Sequence, residues 1–171
     1  LNRKMKEAAK IASDNAWNRI IDFHKGSIVK GPGAFNTFGV ISSGITYPFV
    51  EEVLETTMIN ARVLKLATTY PLPETLIESY LRDLEQVLIV EEGDPVTEMQ
   101  VRALAQHRRI NVRIIGKSDE ILPRSGELNP DIIGDAFEKI FGIGFREELT
   151  EPYMKARALV TARVPSLCAG C

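Results

Sequence analysis

The sequence predicts an α/β fold: a three-layer α/β/α domain built on a mostly parallel sheet. Three observations predict it. Short apolar runs centred on Ile41, Leu64, Leu88 and Ile114 recur roughly every 24 residues. Each gap between them carries a helical pattern, and a parallel crossover needs at least about a dozen residues. The third run, Val87-Leu88-Ile89-Val90, has no polar break and stops abruptly at Glu91-Glu92-Gly93-Asp94-Pro95, as a strand buried on both faces does. The order is therefore β-α-β-α-β-α-β with right-handed crossovers.

Taken from the start, residues 1–14 place Met5, Ala8, Ala9 and Ala12 at helical spacing among basic side chains, so residues 1–25 read as a helical lead-in. Ser27-Ile28-Val29-Lys30 reads as a short strand, and Gly31-Pro32-Gly33 as a turn. Phe38–Ser42 is the first regular strand, Ser43-Gly44 a tight turn, and the next helix points Ile45, Phe49, Val50, Val53 and Leu54 inward. Arg62–Leu66 is a strand, followed by the stiff loop Thr68-Thr69-Tyr70-Pro71-Leu72-Pro73 and a helix burying Leu76, Ile77, Tyr80, Leu81 and Leu84. After the acidic turn, Asp94 suits a helix cap and Pro95 a first helical position. That helix is read with Val96, Met99, Ala103 and Leu104 inward, ending near His107. Asn111–Ile115 is a strand. Asn129-Pro130 opens a last helix with Ile132, Ile133, Ala136, Phe137 and Ile140 inward, and Gly142 closes it. Residues 26–142 thus form the α/β domain, and residues 143–171, with Pro152 and Pro165, an extended connector.

Composition narrows the function. At 171 residues, 44% hydrophobic and 26% charged, the chain is an ordinary globular domain with extensions. A net charge of −2 gives no basic field for nucleic acid or an anionic membrane, and no apolar run approaches the roughly 20 residues of a bilayer span. Leu1–Ser13 is basic and helical without the apolar core of a secretory signal. Both cysteines fall within the last four residues, so no disulfide framework holds the body and the cytoplasm is the expected compartment. The chain starts at Leu1 and stops inside a Cys-containing motif, which suggests a piece of a longer polypeptide.

Four places could carry chemistry. Ser42-Ser43-Gly44 stands at a strand's carboxyl end and a helix N-terminus, where free N–H groups can hold an anion; a plain helix cap is the simpler account. Glu91, Glu92 and Asp94 could ligate Mg²⁺ or act as acid and base; the simpler account has Asp94 capping, Glu92 solvated and Glu91 bonded to a neighbouring loop. With Thr68 and Thr69 these residues would line one crevice at the sheet's carboxyl edge. No G-x-G-x-x-G or G-x-x-x-x-G-K-[ST] is present, so a dinucleotide or nucleotide cradle is absent. His24 and His107 complete no recognisable hydrolase triad with the chain's Ser or Cys residues, and no catalytic residue is assigned. Cys168-Ala169-Gly170-Cys171 has the spacing for an iron–sulfur cluster or zinc, but supplies only two of the usual four ligands; a redox pair is the other reading.

Several runs, in this order, resemble a known family. These are Val40-Ile41-Ser42-Ser43-Gly44, Val63-Leu64-Lys65-Leu66-Ala67-Thr68-Thr69-Tyr70-Pro71-Leu72-Pro73-Glu74, Val90-Glu91-Glu92, Gly126-Glu127-Leu128 and Leu167-Cys168-Ala169-Gly170-Cys171. They are similar to the middle of the alpha subunit of indolepyruvate ferredoxin oxidoreductases, thiamine diphosphate-dependent 2-oxoacid:ferredoxin oxidoreductases. The Thr-Thr-Tyr-Pro-Leu-Pro-Glu run is the specific one. The resemblance implies a transketolase C-terminal-like domain: five strands in the order 1-3-2-4-5 with strand 1 antiparallel, strand 1 being supplied by Ser27–Lys30. It also implies oxidative decarboxylation of aryl 2-oxoacids with coenzyme A and ferredoxin, in a protein holding thiamine diphosphate, Mg²⁺ and 4Fe-4S clusters, with the remaining alpha-subunit domains, a beta subunit and ferredoxin as partners. Cys168 and Cys171 would be cluster ligands only in that larger protein; Ala169 stands where the family typically has Pro. The Gly-Asp-Gly run that thiamine diphosphate needs is missing here, so no cofactor is expected in this chain and its role is expected to be structural. The alternative is a free-standing module that binds a small ligand or anion in the Ser43-Gly44/Glu91-Glu92 crevice.

Overall fold

The four runs of apolar residues become strands because each can be buried on both faces only inside a sheet covered on both sides. The computed structural model describes residues 2–23, 37–145, 155 and 158–160. Its elements are α1 (Asn2–Ser13), β1 (Arg19–Phe23), β2 (Phe38–Ser43), α2 (Thr46–Thr57), β3 (Ala61–Leu66), α3 (Glu74–Arg82), β4 (Gln86–Val90), α4 (Val96–His107), β5 (Arg113–Ile115) and α5 (Pro130–Phe141). The strands form one sheet in the order β1-β3-β2-β4-β5. β1 runs antiparallel to β3; every other neighbouring pair is parallel. The predicted architecture is therefore the observed one.

Strand 1 comes from a different place than expected. Arg19–Phe23 pairs with β3, Arg19 opposite Lys65 and Phe23 opposite Ala61, while Ser27–Lys30 lies outside the described residues. The sheet thus starts inside the stretch read as helical lead-in. β1 is short, and its charged Arg19 and Asp22 face solvent while Phe23 reaches the core, the half-buried alternation of an edge strand. Of the expected connector, Lys155, Ala158 and Leu159 are helical rather than extended, and most of the rest falls outside the described residues.

Two apolar layers sandwich the sheet. On one face Val40, Val63, Leu88 and Val90 pack against Val50, Val53 and Leu54 of α2 and Ile133, Ala136 and Phe137 of α5. On the other, Ile41, Leu64, Leu66, Val87 and Ile89 pack against Ile77, Tyr80 and Leu81 of α3 and Val101, Leu104 and Ala105 of α4. Strand residues of alternating parity feed the two layers, as a period of two requires. α5 is capped as the sequence predicts: Ile132 N–H donates to Asn129 Oδ1 at 2.9 Å, and Gly142 ends the helix at φ 69°. α1 lies against α3.

Tyr80 of α3 reaches through the core to the sheet. Its buried hydroxyl donates to the carbonyls of Val40, at 3.0 Å, and Arg62. Burial holds the phenol well above its ordinary pKa, against the smaller opposing pull of the Val40 hydrogen bond and the Arg62 charge. Gly39 makes room for it, since a β-carbon there would collide with Leu84 and the Tyr80 hydroxyl.

α4 turns a different face inward than its periodicity suggests. Thr97, Glu98, Val101, Leu104 and Ala105 are buried, while Val96 and Met99 are 52% and 56% exposed and Ala103 is exposed. Of the four residues expected inside, only Leu104 is there. The inward face carries the apolar Val101, Leu104 and Ala105 together with Glu98, whose carboxylate accepts from Lys117 N–H.

Candidate functional site

The chain leaves β2 towards β3 on one side and, after β3, crosses to β4 on the other. The carboxyl ends of β2 and β4 therefore flank the switch point where ligands gather in open α/β sheets. A cavity of about 710 Å³ opens there, lined by Ser43, Gly44, Ile45, Leu66, Ala67, Thr69, Glu91, Glu92, Asp94, Val96 and Thr97. Five expected residues, Ser43, Gly44, Thr69, Glu91 and Glu92, are brought together. Ser42 and Thr68 are not part of the lining. The Ser42 hydroxyl is buried against Thr46 Oγ1 at 2.7 Å, and Thr46 Oγ1 also donates to Val90 O at 3.0 Å, tying α2 to both strands. Thr68 Oγ1 accepts from Asn18 Nδ2 at 3.5 Å, behind the crevice. His107 lines a separate cavity between α1 and α4. His24, Cys168 and Cys171 lie outside the described residues.

The acidic turn is wired differently from either reading. Asp94 does not cap α4; Pro95 occupies the cap position without a side-chain bond. Glu91 caps instead. It is buried, its Oε2 accepting from Thr97 N–H and its Oε1 from Glu98 N–H, each at 2.8 Å. Both oxygens thus occupy the helix N-terminus, where an external anion would otherwise sit. Glu92 is not simply solvated, since its Oε1 accepts from Leu128 N–H at 3.1 Å. Gly93 adopts φ +65° at the apex, which glycine reaches without strain. Lys117, buried after β5, donates its ammonium to the Gly93 carbonyl.

Behind the turn stands a buried ionic knot that local sequence signals do not show. Glu98 Oε2 accepts from Lys117 N–H at 2.8 Å and Ser118 N–H at 3.3 Å. Its Oε1 meets Arg102 at 2.9 Å, and Arg102 also pairs with Asp119. Burial opposes ionisation of Glu98 most strongly, yet the Ser118 and Arg102 hydrogen bonds and the Arg102 charge together outweigh it and hold the carboxyl below its ordinary range. The Glu98–Arg102 spacing of four was the one available hint; the partners at 117–119 come from a distant loop.

Chemically, the crevice carries three carboxylates and no cationic residue in its lining. It therefore favours a cation or an apolar group over an anion. This composition argues against anion binding there, and a diphosphate fits it poorly because α4's first N–H groups already serve Glu91. Among the described residues no group of three or more His, Cys, Asp or Glu is placed to hold a metal ion, and no helix is long and apolar enough to cross a membrane. Glu91→Ala is expected to lower stability by about 1–3 kcal/mol, since two buried N–H groups lose their partner. Urea unfolding checks this; an unchanged midpoint would show that water replaces the carboxylate without loss.

The sequence profile of the indolepyruvate oxidoreductase domain matches residues 38–162, from the start of β2 through the crevice and past α5. The chain belongs to this family. It is 41% identical over 138 residues to indolepyruvate oxidoreductase subunit IorA of Pyrococcus abyssi, covering 78% of this chain and 21% of that protein. It is 35% identical over 169 residues to subunit IorA of Methanothermobacter thermautotrophicus, covering 98% of this chain and 25% of that protein. Subunit IorA of Archaeoglobus fulgidus is 34% identical over 136 residues. The chain thus spans about a fifth to a quarter of the length of these relatives. The longer alignment takes in α1 and β1, so the antiparallel edge strand falls within the shared region.

Proposed function

We propose that this chain is the sheet-bearing middle part of an IorA-like alpha subunit and that its role there is structural. In this reading it holds the flanking thiamine-binding domains in register and contributes to a subunit interface. The whole protein would oxidatively decarboxylate aryl 2-oxoacids such as indolepyruvate, with coenzyme A and ferredoxin, in the cytoplasm, beside a beta subunit. Thiamine diphosphate, its Mg²⁺ and 4Fe-4S clusters would belong to the rest of that protein, with Cys168 and Cys171 as possible cluster ligands there.

One observation carries the structural role: Glu91, the buried carboxylate at the switch point, places both oxygens on the first N–H groups of α4. A carboxylate committed to a helix cap gives up that cap when it turns towards a substrate. The test uses the complete enzyme with Ser43→Ala and Thr69→Ala, two small polar residues of the crevice. The kcat for indolepyruvate oxidation is expected to stay within about twofold of wild type, a barrier change under ~0.5 kcal/mol. A loss of about a hundredfold in a stably folded variant would make the crevice catalytic and overturn the reading.

A further inference from the structure

The outer face of α4 is apolar where a surface helix is normally polar. Val96, Met99 and Ala103 follow one another at spacings of three and four, and all three are exposed. Tyr70, 75% exposed, stands beside them, because Gln100 Nε2 reaches the neighbouring Thr69 carbonyl at 3.5 Å. The inner face of the same helix buries a glutamate. Burying Glu98 with Val101, Leu104 and Ala105 leaves the Val96-Met99-Ala103 stripe outside. On the crevice side the stripe is bordered by the exposed residues Glu92, one of whose carboxylate oxygens accepts from Leu128 N–H, and Asp94, and on the other by the groove between α1 and α4, whose walls include Tyr70 and Ala103.

We infer that this face of α4 is the seat of another domain of the same, longer polypeptide, which lays apolar side chains on Val96, Met99 and Ala103 and a Lys or Arg against Glu92 and Asp94. Anchors at this spacing are how one polypeptide surface grips a helix face. The carboxylates, without a cation in the crevice lining, select the sign of the partner's charge. The matched relatives, four to five times as long as the aligned segment, have the chain to supply it. The inference rests on the proposed place of this chain within such a subunit.

Methionine oxidation in the full-length subunit tests it, with an internal control. Met58, 55% exposed here against 56% for Met99, caps the C-terminal end of α2, which packs on the opposite face of the sheet from α4. Under limiting hydrogen peroxide Met99 is expected to oxidise roughly tenfold more slowly than Met58, because an interface core excludes solvent. The double variant Glu92→Lys, Asp94→Lys is expected to bring Met99 up to the Met58 rate, while unfolding stays cooperative. Equal rates in the wild-type protein overturn the inference. So does protection lost on dilution, which assigns the face to a second copy, or protection lost on extensive dialysis, which assigns it to a small ligand. Turnover of indolepyruvate by the same preparation separates the two ideas: equal oxidation in an active enzyme removes the seat and leaves the function, and protection in an inactive one does the reverse.

Discussion

Glu98→Ala is expected to lower the unfolding free energy by about 1–3 kcal/mol, the cost of leaving buried donors without their acceptor. The change leaves Lys117 N–H and Ser118 N–H, which donate to Oε2, without their acceptor, while Arg102 loses its bond to Oε1 and keeps its pair with Asp119. Chemical denaturation at constant m-value reads the loss. The carboxylate also makes the effect depend on pH. Its folded pKa is depressed, so its contribution is fully present above the unfolded value of about 4.3 and disappears as pH falls through the lower folded value. Glu98→Gln keeps the shape and is expected to flatten that acid limb. An acid-unfolding profile identical to wild type in the Gln variant would mean that Glu98 is not the group responsible.

Leu88→Ala is expected to cost about 2–5 kcal/mol, the transfer of a leucine side chain plus the cavity it leaves. Leu88 has no exposed surface and lies in β4 between Val40 and Ile115, in the layer packed by α2 and α5. Four neighbouring backbones fix its surroundings, so little collapse into the space is available. Leu88→Met, close in volume, is expected to cost less than about 1.5 kcal/mol. Thermal unfolding of the pair distinguishes packing from polarity; equal losses would point to strand geometry rather than volume.

The regular part of the fold was legible because burial on both faces writes a signal into every residue of a strand. Val87–Val90 has no exposed position, and a continuous apolar run records that. β1 is legible only with its partner known, since three of its five residues are exposed and two of those are charged. The α4 error has a similar origin. Two apolar stripes compete on that helix, Val96-Met99-Ala103 and Val101-Leu104-Ala105, and helical periodicity fits both. The choice is made by Lys117 and Ser118, whose N–H groups need Glu98 and lie beyond any local window. The same holds at the crevice. Chain order placed Glu91 and Glu92 at the sheet's carboxyl edge, but Asp94-Pro95 offered a more familiar cap than a carboxylate folding back across the turn.

The antiparallel edge strand also has a temporal meaning. A ribosome delivers β1 before the strand it pairs with, and Arg19 meets Lys65. At a synthesis rate of ~5–20 residues per second the wait lasts several seconds. During it Ile20, Ile21 and Phe23 have no sheet to join, and the backbone offers an open edge to any other extended chain. Arg19 and Asp22, both charged and exposed, keep that nascent strand soluble until β3 arrives. Neutralising both would leave the finished sheet nearly as stable and its assembly during translation more prone to aggregation.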